Sequence, residues 1–294
     1  MTDYAIGVVG GSGLYQMDAI EILEERRIET PFGEPSDAFM LGELDGTKIA
    51  FLPRHGKGHR LMPSELNFRA NIYGFKSLGV RWLISVSAVG SMKEAYAPTH
   101  IVVPDQFYDR TRHRPDTFFG DGLVAHVSMA DPVCHTLAGV MADGAEAAGA
   151  TVHRGGTYVC MEGPQFSTRA ESLIYRQWGV DVIGMTNLQE AKLAREAEIA
   201  YATFAMVTDY DCWHEEEEDV TVDAVLETLR RNNVTGQRAV VESIRRLAAS
   251  PKLTSSAWDA LQYAIITDRA AVSREAVDRL RPLVGRYFDG GSED

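Results

Sequence analysis

Cysteine is scarce in this chain. Among 294 residues only Cys134, Cys160 and Cys212 carry thiols. They lie far apart with no CxxC pair, which argues against a disulfide framework and against a zinc site. Basic charge is also short, because 29 Lys and Arg face 42 Asp and Glu and leave a formal net charge of -13. A surface this acidic repels nucleic-acid backbones and anionic lipids at long range, so neither is an expected partner. An anionic substrate would need a local basic pocket. No apolar run reaches the roughly 20 residues of a membrane span, and Met1-Thr2-Asp3-Tyr4 has no basic leader. Internal repeats and linkers rich in Pro, Gly or Ser are absent too. The expectation is one cytoplasmic globular domain, and 45% hydrophobic with 24% charged residues is ordinary for one.

What is present is an alternation of short apolar strands with amphipathic helices, the pattern of an α/β fold. Ala5 to Val9 reads as a central strand feeding the turn Gly10-Gly11-Ser12-Gly13-Leu14. That turn fails the dinucleotide fingerprint, since Gln16 holds the third glycine position, and it lacks a P-loop lysine. It suits a small phosphate, or serves as a plain connection. Two strands around Leu44-Asp45-Gly46-Thr47 read as a hairpin. The second delivers Arg54, His55, Lys57, His59 and Arg60, a basic cluster in an acidic chain. Arg offers a fork suited to phosphate or carboxylate.

Pro63-Ser64 is expected to open a helix with Phe68, Ile72 and Phe75 on one face, ending at Gly79. The strand from Trp82 ends in small residues, and its Ser87 could donate to the same anion or simply pack. Asp105 to Asp121 reads as a long polar irregular loop. Thr168 and Glu171 form a capping-box pattern, preceded by Phe166 in a Gly-Pro turn. Taken alone, Phe166 is better read as a core plug than as a lid on a flat ligand. The run Tyr201 to Thr208 reads as a buried strand that ends at Asp209 and Asp211. Those carboxylates either cap the next turn or meet a ligand, because ligands gather at strand ends in open α/β sheets. A helix from Val222 is expected to break near Gly236, and two more helical patterns fill Ser255 to Phe288.

Six co-linear segments carry a resemblance. They are Gly10 to Leu14, Thr30 to Gly33 with Pro35-Ser36-Asp37, Arg54-His55-Gly56, Glu162-Gly163-Pro164 with Phe166-Ser167, Met185-Thr186, and Thr208 to Trp213. Together they resemble the 5'-methylthioadenosine phosphorylases of the trimeric purine nucleoside phosphorylase family. The resemblance implies a single α/β domain whose mixed sheet forms a distorted barrel flanked by helices. Residues 1–250 would make this phosphorylase domain, with 251–294 a helical extension packed on it. It implies phosphorolysis of 5'-methylthioadenosine with inorganic phosphate as co-substrate and no cofactor or metal, in a homotrimer or dimer of trimers. Ser12, Arg54, His55, Ser87 and Thr186 would bind phosphate, and Met185 would lie against the ribose. Phe166, Ser167, Asp209 and Asp211 would hold the purine, with Asp209 catalytic at N7 and Asp211 at the exocyclic amino group. His59, Val222, Val225 and Leu226 would line the 5' pocket.

The related 6-oxopurine enzymes carry Glu at the position of Ser167 and Asn at that of Asp209, so the residues here favour 6-aminopurines. A 6-oxopurine or methylthioinosine phosphorylase is the nearest alternative, and a non-catalytic nucleoside-binding protein the more distant one. Asn187-Leu188-Gln189-Glu190 departs from the Val-Pro-Glu that usually follows the Met-Thr pair.

Overall fold

The apolar run after Tyr4 founds the sheet. In a computed structural model, which describes residues 4–11, 17, 19–214 and 222–289 and only the backbone of residues 222–227, 229 and 231, it forms β1 (Ile6–Gly10). Next come β2 (Glu21–Arg26), β3 (Phe39–Leu44) and β4 (Thr47–Pro53), then α1 (Phe68–Ser77), β5 (Trp82–Ser91), β6 (Ile101–Val103) and β7 (Gln106–Arg110). The middle of the chain holds α2 (His135–Ala147), β8 (Val152–Arg154), β9 (Thr157–Met161), α3 (Arg169–Gln177) and β10 (Val182–Gly184). It finishes with α4 (Asn187–Glu196), β11 (Ala200–Asp209), α5 (Val222–Ala249), α6 (Arg274–Arg279) and α7 (Arg281–Phe288).

β1 is central as expected, running parallel to β4 on one side and β5 on the other. β3 and β4 form the hairpin, with Asp45 and Gly46 both at positive φ (48° and 81°), the backbone that a two-residue turn of this hand demands. The sheet is mixed and flanked by helices, but it does not close into a barrel. Among the described residues its path runs β2-β3-β4-β1-β5-β10-β9-β7, with β11, β6 and β8 branching off. The branch point is β5. Its first half pairs with β1, its end pairs antiparallel with β10, and β11 runs parallel along its other edge from Ala200↔Trp82 to Asp209↔Gly90. A strand shared in this way splits the sheet rather than curling it round.

Strand alternation sorts side chains into two large apolar layers. Leu83 and Tyr201 point toward α1, α4 and the C-terminal segments, while Trp82, Ile84, Phe204 and Met206 point toward α2 and α5. Leu261, Leu280, Leu283 and Val284 belong to the first layer, so the segments after residue 250 pack on the same core.

Four local expectations are corrected. A 3₁₀ turn at Pro63–Glu65 precedes α1, which starts at Phe68 because the Asn67 side chain accepts from Ala70 N–H as its cap. The loop after Asp105 begins as β7, which pairs with β9 at the margin of the sheet. The 255–273 stretch contains 3₁₀ turns (Ser256–Asp259, Arg269–Ala271) rather than a full helix. Finally, α5 runs through Gly236 unbroken. A Cβ there would sit 2.8 Å from the Met206 sulfur, so this glycine admits β11 rather than ending the helix.

Candidate active site

The carboxyl-terminal ends of β4, β5, β10 and β11 open onto one cavity of about 710 Å³, within the size range of small-molecule sites. Arg54, His55, His59, Ser87, Phe166, Met185, Thr186, Asp209 and Asp211 all line it, together with Gly11. Nine residues expected to hold a ligand thus share a wall, although they span more than 150 positions of sequence. Ser12 lies outside the described residues, and so do the side chains of Val222, Val225 and Leu226. Ser167 is absent from the lining; its hydroxyl bears on the acidity of Asp211 from behind.

At the basic end Arg54 is fully buried, and it does not present the open fork that the sequence suggested. Its Nε and Nη2 donate to Glu190 at 2.5 and 3.0 Å, Nη2 also to Ser85 Oγ at 2.7 Å, and Nη1 to the Val86 carbonyl at 2.8 Å. Burial disfavours its charge, but the Glu190 carboxylate more than offsets this and holds the guanidinium above its usual range. His55 Nδ1 lies 2.8 Å from the Leu61 carbonyl, which assigns the proton to Nδ1 and leaves Nε2 as an acceptor. Burial first, then the Arg54 charge, pushes this imidazole down to about 4, so it is neutral at pH 7. Its ring stacks on His59 at 4.2 Å between centroids.

Two buried oxygens at the cavity have no hydrogen-bond partner among the described residues: Ser87 Oγ and Asp211 Oδ2. Stranding a polar atom is costly, and a ligand that bonds to both removes the cost. Thr186 is the N-cap of α4, so the N–H groups of a helix start at the cavity wall. Its hydroxyl donates to Asn187 Oδ1 at 3.1 Å.

At the acidic end Asp209 holds the turn and also reaches the cavity. Its Oδ1 accepts from Asp211 N–H at 2.8 Å, fixing the turn, and its Oδ2 accepts from the Thr208 hydroxyl at 2.7 Å. It also faces the cavity. Asp211 is buried at a positive φ of 52°. Burial raises its carboxyl above the usual range, against the opposing pull of hydroxyls from Ser172 and Ser167. Phe166 is 44% exposed and lines the cavity, so it is part of the cavity wall and not a core plug.

The distance between the two ends follows from the strand register. Ser87 pairs with Ala205 and Asp209 with Gly90, so Ser87 and Asp209 lie three residues apart along β5. At about 3.3 Å per residue that is roughly 10 Å, enough for an anion, a sugar carbon and a flat ring in line. A model of the phosphorylase superfamily matches residues 5–245.

The chain belongs to this superfamily. It is 56% identical over 286 residues to the S-methyl-5'-thioadenosine phosphorylase of Geobacter sulfurreducens, covering 97% of this chain and 99% of that one. The Koribacter versatilis protein of the same name is 57% identical over 284 residues, with 96% of each chain covered. Among solved structures, a methylthioadenosine phosphorylase from an antarctic soil metagenomic library superposes with a TM-score of 0.92 at 51% identity, covering 96% of this chain and 99% of that one. The Schistosoma mansoni methylthioadenosine phosphorylase in complex with adenine gives 0.80 at 37% identity, covering 83% and 92%.

Within this phosphorylase fold, several residues behind the site had no role assigned from sequence, although the segment holding Asn187 and Glu190 stood out as a departure. Glu190, Ser85 and Asn187 sit behind the basic end. Arg114, from the polar loop, is buried and donates to the carbonyls of Met185 (2.6 Å) and Glu162 (2.5 Å). It clamps the turn that presents Met185. A buried arginine in an otherwise polar stretch shows itself only once its acceptors are known.

Proposed function

We propose that this phosphorylase cleaves 5'-methylthioadenosine with inorganic phosphate, giving adenine and 5-methylthioribose 1-phosphate, and so acts as a salvage pentosyltransferase. The observation that carries the reading is the joining of Asp209, Asp211 and Phe166 to Arg54, His55, Ser87 and Thr186 in one cavity. Near-full-length relatives named for the same substrate support it.

In the reaction, a phosphate oxygen bonds to C1' as the C1'–N9 bond breaks. The electron pair remains with the purine, which takes a proton at N7. Arg54 Nη1, the Ser87 hydroxyl and the start of α4 hold the nucleophile, and neutral His55 accepts from a protonated phosphate oxygen at Nε2. Phe166 packs on the purine, Met185 on the ribose, and His59 with Val222, Val225 and Leu226 on the 5' substituent. Ser12 adds a phosphate donor and Ser167 stands behind the purine. Asp209 serves N7, and Asp211 accepts from the exocyclic amino group.

Delivery of the N7 proton through Asp209 is the general-acid step; beside it, burial raises the carboxyl of Asp211 above its usual range. General acid assistance of this kind contributes about 10²–10⁴-fold. The reaction balances with phosphate as its only co-substrate and calls on no cofactor or metal. We place the enzyme in the cytoplasm, as a homotrimer or dimer of trimers. Among the described residues no helix is long and apolar enough to cross a membrane.

Phosphate-dependent turnover of methylthioadenosine, adenosine and inosine, measured side by side, tests the reading. Adenine release fastest from methylthioadenosine is expected. Preference for inosine would replace it with a 6-oxopurine phosphorylase. Binding of adenine without turnover at any phosphate concentration would leave only a nucleoside-binding protein.

A further inference from the structure

Glu190 is not among the residues lining the cavity, yet it holds the cation that is. A guanidinium has five N–H groups, and four of those of Arg54 go to Glu190, Ser85 and Val86. What Arg54 can give a ligand is therefore the second N–H of Nη1. We propose that Glu190 is a positioning residue for the phosphate subsite, which fixes the Arg54 guanidinium so that this single N–H points at the anion. The proposal rests on the phosphorolysis reading for its kinetic part only.

The geometry leaves the arginine little choice. Its stem is anchored where Arg54 N–H donates to the Gly10 carbonyl at 2.9 Å. Glu190 takes Nε on one oxygen and Nη2 on the other, the two-point pairing that sets the plane of a guanidinium. Glu190 is itself held, because its Oε2 also accepts from the Ser85 hydroxyl at 3.0 Å and the Tyr201 hydroxyl at 2.9 Å. Asn187, one turn earlier on α4, completes the frame. Its Nδ2 donates to Ser85 Oγ and Thr203 Oγ1, and its Oδ1 accepts from the Thr186 and Tyr158 hydroxyls. The first turn of α4 thus orders both Arg54 and Thr186. In Glu190→Gln the amide presents N–H groups to a donor of Arg54, which forces the guanidinium to turn.

Initial rates with phosphate varied, and calorimetry with inorganic phosphate and with adenine separately, test the proposal on Glu190→Gln and Tyr201→Phe. Glu190→Gln is expected to raise the phosphate KM and Kd together by about tenfold or more, the scale of one charge-assisted hydrogen bond, with adenine affinity within about twofold. Tyr201→Phe removes one bond on Oε2 without uncovering a charge, and is expected to raise the phosphate KM about two- to fivefold at nearly unchanged kcat. Should Glu190→Gln fail to fold, Tyr201→Phe decides alone. An unchanged phosphate KM in the folded variants would overturn the proposal, as would a parallel loss of phosphate and adenine affinity, since that marks a merely structural pair. Absence of turnover in the unmutated protein would defeat the proposed reaction but not this test, which the phosphate calorimetry then decides.

Discussion

Replacing Glu196 by Gln is expected to stabilise the protein at alkaline pH. Glu196 ends α4, is buried, and accepts from the Thr117 hydroxyl and the Phe118 N–H, both at 2.7 Å. Burial raises its carboxyl from an ordinary 4.5 to about 7, although both hydrogen bonds pull the other way. The folded chain therefore holds this proton more tightly than the unfolded one does. Between pH 4.5 and 7 the folded state binds more protons, so stability is full below 4.5 and falls as pH climbs through 7. At about 1.4 kcal/mol per pH unit the loss amounts to roughly 3 kcal/mol by pH 8. Glutamine keeps the geometry, because its carbonyl can accept from Phe118 N–H while its amide donates to Thr117 Oγ1. The expected result of urea unfolding at fixed protein concentration is a parent that loses about 2–3 kcal/mol from pH 5 to pH 8 relative to Glu196→Gln. Parallel pH curves for the two proteins would refute the reasoning.

Asp209→Asn should shift kcat/KM toward inosine, because an amide can both donate and accept against a 6-oxopurine; unchanged selectivity would remove Asp209 from the discriminating role. His55, held near 4, should show no imidazole titration by NMR between pH 8 and pH 5.5, and a midpoint near 6.5 would contradict its burial beside Arg54. Since its folded value lies below its unfolded one, the stability it contributes is present above pH 6.5 and lost as pH falls through 4. Gly184→Ala would put a Cβ 1.9 Å from the buried Tyr158 hydroxyl. That overpacking should cost about 3 kcal/mol or more, and a thermal midpoint within a degree or two of the parent would show that Tyr158 can move.

The strands that build the site were legible because burial on both faces leaves a nearly continuous apolar run, as in Trp82 to Val86 and Tyr201 to Val207, each interrupted by one hydroxyl residue, Ser85 and Thr203. Asp209 and Arg54 stood out because charge at the end of such a run is conspicuous. β2 did not, since Glu21-Ile22-Leu23-Glu24-Glu25-Arg26 is an exposed margin with no buried face to pattern it. Gly236 misled because its reason, the Met206 side chain, is 30 residues away. The departure at Asn187-Leu188-Gln189-Glu190 was visible without its meaning. Asn187, Gln189 and Glu190 all turn inward and are buried, whereas polar residues of that kind at a helix start ordinarily face water.

The same inward turn bears on how an acidic protein holds an anion. Arg54 is matched by Glu190, His55 is neutral at pH 7, and the chain as a whole carries a net charge of -13. Little net positive charge remains where Arg54 and His55 meet the cavity, and the further cations on its wall, Arg60 and Arg230, are exposed to solvent. The attraction for phosphate then comes from aimed dipoles: Nη1 of Arg54, the Ser87 hydroxyl and the start of α4. Such groups act at contact distance, whereas the acidic surface acts at long range and repels. Screening shortens from about 30 Å at 0.01 M salt to about 8 Å at 0.15 M, so added KCl weakens the repulsion and leaves the contacts intact. The phosphate KM should hold steady or fall over that range. A site working by excess cationic charge would lose affinity instead, so a KM rising about threefold or more with KCl would mean that the cations on the cavity wall, Arg60 and Arg230 included, outweigh the aimed dipoles.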